Sequence, residues 1–128
     1  MEGRTSGFVV AVVDDDPSVL RSLEYLLESA DYGVRLFTSG ADLLASGCLS
    51  EIDCLISDID MHGMDGLELL RSVQAAQPGL LSILITGYPD TLPRVPSSAG
   101  SNCRVFVKPF QASELLAAIS EGLGDSPR

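Results

Sequence analysis

Asp58 closes the apolar run Cys54-Leu-Ile-Ser57, and an earlier apolar run, Phe8 to Val13, ends in three successive carboxylates, Asp14, Asp15 and Asp16. In an open parallel sheet, ligands gather at the carboxyl ends of the strands, so acids far apart in sequence would meet on one rim. Carboxylates crowded into one cleft repel each other and call for a cation; the hard ion suited to oxygen ligands is Mg²⁺. An Asp beside such an ion could act as a nucleophile toward phosphorus. Two other runs end in different chemistry: Leu81-Ser-Ile-Leu-Ile85 leads into Thr86-Gly87, and Arg104-Val-Phe-Val107 into Lys108-Pro109. An acidic pocket, a hydroxyl and an ammonium suffice for phosphoryl transfer, whose catalysis is mostly positioning and neutralisation of the oxygens on the moving group. Mg²⁺ would bridge the carboxylates and one phosphoryl oxygen, Lys108 would pair with a second, and the Thr86 hydroxyl would bond a third.

The elements that must position these groups are legible as five apolar, β-branched runs alternating with stretches of helical period, the pattern of an α/β fold with a five-stranded parallel sheet and helices on both faces. After the first run, Asp16 is a plausible N-cap and Pro17 suits the first helical position of a helix to Ser29, with Val19, Leu23, Leu26 and Leu27 on one face. A second strand, Val34 to Phe37, precedes a short helix capped by Ser39 and running through Leu44. Leu67, Leu70 and Val73 mark a helix after the third strand, stopped by Pro78-Gly79. The last helix spans about Gln111 to Gly122 and buries Leu115, Leu116 and Ile119. Between strands four and five, Tyr88 to Asn102 holds Pro89, Pro93 and Pro96 among Ser and Gly. An interior proline costs a helix roughly 3 kcal/mol, so the fourth helix is expected to be short or distorted. No repeat or second domain is evident; residues 7 to 123 read as one domain, with flexible ends at 1–6 and 124–128.

The chain has 128 residues and a net charge of -10, a field that repels nucleic acid and argues against direct DNA binding. Neither a signal peptide nor an apolar run of roughly 20 residues is present, so a cytoplasmic protein is expected. Cys48, Cys54 and Cys103 lack the spacing of a zinc site or disulfide framework and read as small apolar residues. The lone histidine, His62, lies in a glycine-flanked loop and reads as solvated.

Four segments carry a resemblance: Val13-Asp-Asp-Asp-Pro17, Asp58-x-x-Met-x-Gly-Met-Asp-Gly66, Thr86-Gly87 and Lys108-Pro109-Phe110. In order and spacing they resemble the receiver domain of two-component response regulators, particularly the FixJ-type branch, over about residues 7 to 123. The resemblance implies a CheY-like (flavodoxin-like) sheet of strand order 2-1-3-4-5. It implies that Asp58 accepts a phosphoryl group from a phosphohistidine of a sensor histidine kinase or phosphotransfer protein, or from a small donor. Asp15 and Asp58 would ligate Mg²⁺ directly, Asp14 mostly through water, and the Asp60 backbone carbonyl would complete the protein ligands. Thr86 and Lys108 would hold the phosphoryl group, and the Lys108-Pro109 bond would be cis. Such a domain is not an enzyme with a separate substrate. It assists its own phosphorylation and dephosphorylation, and its output is a changed contact with a downstream protein or a phosphorylation-dependent dimer.

Three positions depart from that pattern. His62 stands where the family usually has proline, Val105 where it commonly has Tyr or Phe, and the proline-bearing stretch where it has its fourth helix. Phe106, next to Val105, must point to the opposite face of the strand. The Asp16 and Asp60 side chains either flank the cleft, tuning water access and phosphoryl lifetime, or serve as cap and loop residues. Two other readings compete. Asp58-Ile-Asp60 resembles the Asp-x-Asp pair of haloacid-dehalogenase-type phosphatases, although the triple acid after strand one and the lack of a cap domain favour the receiver. A degenerate receiver that binds partners without phosphorylation is argued against by Asp58, Thr86 and Lys108.

Overall fold

A computed structural model describes residues 7–61, 63, 65–88 and 102–124. Five parallel strands, β1 (Val9–Val13), β2 (Gly33–Phe37), β3 (Cys54–Asp58), β4 (Leu81–Thr86) and β5 (Cys103–Val107), form one sheet in the order β2-β1-β3-β4-β5. This is the CheY-like order expected from the sequence. β3 and β4 are buried along their whole length, which is why they read as unbroken apolar runs without alternation.

Residue alternation assigns each helix to a face. Val10, Val12, Ile56, Ile83 and Ile85 pack with Leu20, Leu23 and Leu27 of α1 (Pro17–Ser29) and with Leu115, Ala118 and Ile119 of α4 (Ala112–Leu123). Their neighbours Ala11, Val13 and Leu55 point the other way, onto Leu43 of α2 (Gly40–Ser46) and Leu69 and Val73 of α3 (Gly66–Ala76).

Local chemistry fixes the helix ends. The Asp16 carboxylate accepts from the Ser18 amide at 2.9 Å ahead of Pro17, and Ser39 Oγ accepts from the Asp42 amide at 3.0 Å, the two caps anticipated from residue type. A third cap was not anticipated: Asp65 and Glu68 form a reciprocal capping box, with bonds of 2.9 and 3.1 Å, at the start of α3. α2 continues past Leu44 to Ser46 and stops at Gly47, whose φ of 73° suits glycine. α3 runs to Ala76.

The expected short or distorted fourth helix falls largely on residues 89–101, which lie outside the described residues, as do His62, residues 1–6 and residues 125–128. Cys48 and Cys54 are buried, and Cys103 is partly buried. Among the described residues, no helix is long and apolar enough to cross a membrane.

Candidate functional site

Strand register decides which side chains meet. Val13 pairs with Ser57, so Asp14 and Asp58 follow level with each other on adjacent strands. Asp58 pairs with Ile85, which places Thr86 one residue further along β4, and Thr86 pairs with Val107, which puts Lys108 just past the end of β5. The Lys108 amide donates to the Thr86 carbonyl at 2.8 Å, and the Ile59 amide to the Ile85 carbonyl at 2.8 Å, extending the ladder beyond the strands. The Lys108-Pro109 peptide bond is cis.

Asp58 is only 8% exposed, and its two carboxylate oxygens face different groups. Oδ1 accepts from the Asp60 amide at 3.0 Å, while Oδ2 lies 3.6 Å from the half-exposed Lys108 Nζ. That separation is an ion pair without a hydrogen bond, so the ammonium neutralises without being locked in place.

Asp14, 3% exposed, has its carboxyl pushed up to about 6 from an ordinary 3.8. Burial is the main cause; the Asp16 amide, 2.9 Å from Oδ1, opposes it, the Asp58 charge adds to it, Lys108 opposes it and Asp15 adds to it. Asp15 is exposed beside it. Asp16 resolves the other way: its carboxylate bonds both the Oγ (2.8 Å) and the amide of Ser18, which hold its carboxyl below the ordinary value, so it serves as the cap of α1.

Thr86 is completely shielded from solvent. Its hydroxyl donates to Asp60 Oδ2 at 2.7 Å and accepts from the Tyr88 amide at 3.0 Å. Sequence reasoning anticipated a role for the Asp60 carbonyl. The engagement of its carboxylate with Thr86 had no signal in residue spacing, because the two meet only through the turn after β3.

The donor chemistry fits a hard divalent cation. Burial, and then the like charges of Asp58 and Asp15, push the Asp14 carboxyl up, and positive charge is what would relieve it. Among the described residues, no group of three or more acidic, His or Cys side chains is placed to hold a metal ion. Mg²⁺ suits such a sparse set, since it keeps several waters and takes one or two carboxylates.

Two neighbours of the cleft differ in orientation, as the strand period requires. Val105 packs toward Ile59, Leu67, Leu70 and Leu84, whereas Phe106 faces α1 and α4 and meets Phe110 edge-on, with centroids 5.5 Å apart and planes at 66°. An open depression of about 220 Å³ adjoins the site, lined by Val19, Leu23, Ile85, Lys108 and Phe110 among others.

Known proteins resemble this chain in sequence and fold. The curated relatives include the transcriptional regulatory protein FixJ of Azorhizobium caulinodans, 35% identical over 117 residues, covering 91% of this chain and 56% of that protein. They also include the C4-dicarboxylate transport transcriptional regulatory protein DctR of Rhodobacter capsulatus, 37% identical over 111 residues, covering 85% of this chain and 56% of the relative. The chain therefore spans little more than half the length of these relatives. Among solved structures, a CheY-like response regulator receiver domain protein from Methanospirillum hungatei JF-1 superposes with a TM-score of 0.82 at 28% identity, covering 94% of this chain and 96% of that one. The BeF3-activated DrrB receiver domain gives 0.80 at 26% identity, covering 92% and 98%. The family model described as the response regulator receiver domain matches residues 10–120, the stretch that holds β1 through most of α4. The chain belongs to the response regulator receiver domain family of two-component systems, in its FixJ-type branch.

Proposed function

We propose that Asp58 is the residue through which this receiver domain is switched, by accepting a phosphoryl group from a phosphohistidine of a sensor histidine kinase or phosphotransfer protein, or from a small donor. Receiver domains of response regulators are non-enzymatic signalling domains that take phosphoryl groups from histidine kinases and generally bind Mg²⁺ at their Asp site. The observation that carries the assignment to Asp58 is its nearly buried carboxylate, oriented by the Asp60 amide on one oxygen and faced by Lys108 on the other.

One carboxylate oxygen of Asp58 attacks phosphorus in line with the donor nitrogen. The P–N bond breaks, its electron pair returns to the imidazole ring, and a P–O bond to Asp58 forms. Lys108 has the charge and freedom to follow one phosphoryl oxygen, and the Thr86 hydroxyl can turn to a second. Asp14, Asp15, Asp58 and the Asp60 carbonyl would hold Mg²⁺, which when bound supplies positive charge to the remaining phosphoryl oxygen. The same groups assist later hydrolysis of the acyl phosphate.

The relatives' names describe transcriptional regulators, but the charge of -10 argues against this domain touching DNA itself. Its output is a protein contact, with a downstream protein or a second phosphorylated copy, in the cytoplasm. The phosphatase reading is not favoured, since the family match and the acids after β1 both fit a receiver.

Intact mass measured with and without a small phosphodonor and Mg²⁺, on the wild type and Asp58→Asn, tests the assignment. One added phosphate on the wild type alone is expected. An unmodified wild type, or equal labelling of the variant, would overturn it, and repeated turnover of a phosphate ester would favour the phosphatase.

A further inference from the structure

We propose that the Asp60 carboxylate is a latch on Thr86: it holds the hydroxyl proton in the unphosphorylated domain, and so sets how strongly a phosphoryl group must pull to throw the switch. This rests on Asp58 being the phosphoacceptor.

A threonine hydroxyl has one proton to give. Here it is given to Asp60 Oδ2 at 2.7 Å, a short bond to an anionic acceptor. The Tyr88 carbonyl also lies within reach, at 3.3 Å, but it is neutral and more distant. The Tyr88 amide donates into the same oxygen at 3.0 Å, which fixes the direction in which the proton points. Because Thr86 is fully shielded, no bulk water competes for that proton, and a phosphoryl oxygen on Asp58 can have it only if Asp60 gives it up.

Asp60 is well placed to arbitrate. Its amide holds Asp58 Oδ1 at 3.0 Å while its carboxylate holds Thr86, so one residue touches the acceptor with its backbone and the sensing hydroxyl with its side chain. Asp60 is itself exposed, so a displaced carboxylate is rehydrated rather than stranded. The swap therefore exchanges one anionic acceptor for another. A net hydrogen bond to a charged group corresponds to about a tenfold to hundredfold bias toward the resting state. Asp60 acts through Thr86 and is a positioning residue.

The test compares Asp60→Ala, which removes the acceptor, with Asp60→Asn, which keeps a side-chain carbonyl but loses the charge; both leave the backbone amide and carbonyl in place. The first readout is the χ1 distribution of Thr86 by methyl NMR in protein free of metal and phosphodonor. A single rotamer is expected in the wild type and in Asp60→Asn, and averaging in Asp60→Ala. The second is affinity for beryllofluoride in saturating Mg²⁺, expected to be about two- to tenfold tighter for Asp60→Ala than for Asp60→Asn, since the bond that Asn retains is neutral. Taking the difference between the two variants cancels the lost charge. Equal behaviour of Ala and Asn in the rotamer readout, or an averaged Thr86 in the wild type, would overturn the latch. If the wild type binds no beryllofluoride and takes no phosphoryl group, the Asp58 assignment fails separately, and the rotamers still decide whether Asp60 holds Thr86.

Discussion

Gly66 lies directly against the backbone of Asp58. A methyl group at Gly66 would come within 2.5 Å of the Asp58 carbonyl oxygen and 2.7 Å of Ile59 Cα, and the Gly66 amide donates to the Ile59 carbonyl at 3.0 Å. The first turn of α3 is thus docked on the main chain that carries Asp58, the proposed acceptor, and only a residue without a side chain permits that approach. Gly66→Ala is expected to destabilise the domain by about 1–3 kcal/mol, because main chain yields less readily than a side-chain tip. Urea denaturation measures that loss. Slower phosphorylation of Asp58 should accompany it under conditions where the variant remains folded, and an unchanged rate would show that the displaced backbone does not carry the acceptor with it.

Asp14 should make the metal-free domain less stable as pH rises. Its folded carboxyl is raised to about 6 from 3.8, so between those values the native state binds more protons than the unfolded one. Stability from this group is therefore full below the unfolded value, declines through that window and stays low above it. Asp14→Asn removes the charge. Without Mg²⁺ the variant should be more stable than the wild type near neutrality, with the advantage shrinking toward about pH 4. Thermal melts across that range check it, and a pH-independent difference would contradict the sign. The same substitution should weaken Mg²⁺ binding, placing Asp14 among residues kept for function at a cost in stability.

Lys108→Met removes the cation 3.6 Å from Asp58 Oδ2. The pair is partly exposed, so folding stability should change by less than about 1 kcal/mol. Phosphorylation from a small donor should slow by about tenfold or more, since a positioned donor to a developing oxyanion is lost. Lys108 also opposes the upward shift of Asp14, so that carboxyl should titrate still higher in the variant. Side-chain carboxyl NMR would detect the shift.

The site was legible wherever a strand ended in a chemical group. Asp58, Thr86 and Lys108 stand out because buried strands are almost purely apolar, so a polar residue at the end of each run marks the rim, and parallel register brings those ends together. Asp16 was ambiguous because the same residue type can cap a helix or flank a cleft; its bonds to Ser18 decide for the cap. α3 ends at Ala76, just ahead of the Pro78-Gly79 pair that marks its stop in the sequence. The Asp65 and Glu68 spacing carried a capping-box signal that the glycine-rich surroundings obscured. The Asp60 to Thr86 bond was not legible at all. It joins residues 26 apart through a turn whose path no local pattern encodes.

Phe106 and Val105 lie on opposite faces of β5. Phe106 contributes an edge-to-face contact with Phe110 and packs with the α1 and α4 core, while Val105 sits on the α3 side with Leu84, the residue two before Thr86. Phe106 therefore cannot substitute for an aromatic at position 105 without a one-residue shift of β5, which would turn every side chain of that strand to the other face. Phe106→Leu should cost about 1–2 kcal/mol from the lost ring contact and partial cavity. Phosphorylation of Asp58 by a small donor should be unchanged, because no group around that carboxylate is removed. Denaturant unfolding and intact mass on the same preparation measure both quantities, and a variant that keeps its stability but loses phosphorylation would place Phe106 in the switch after all.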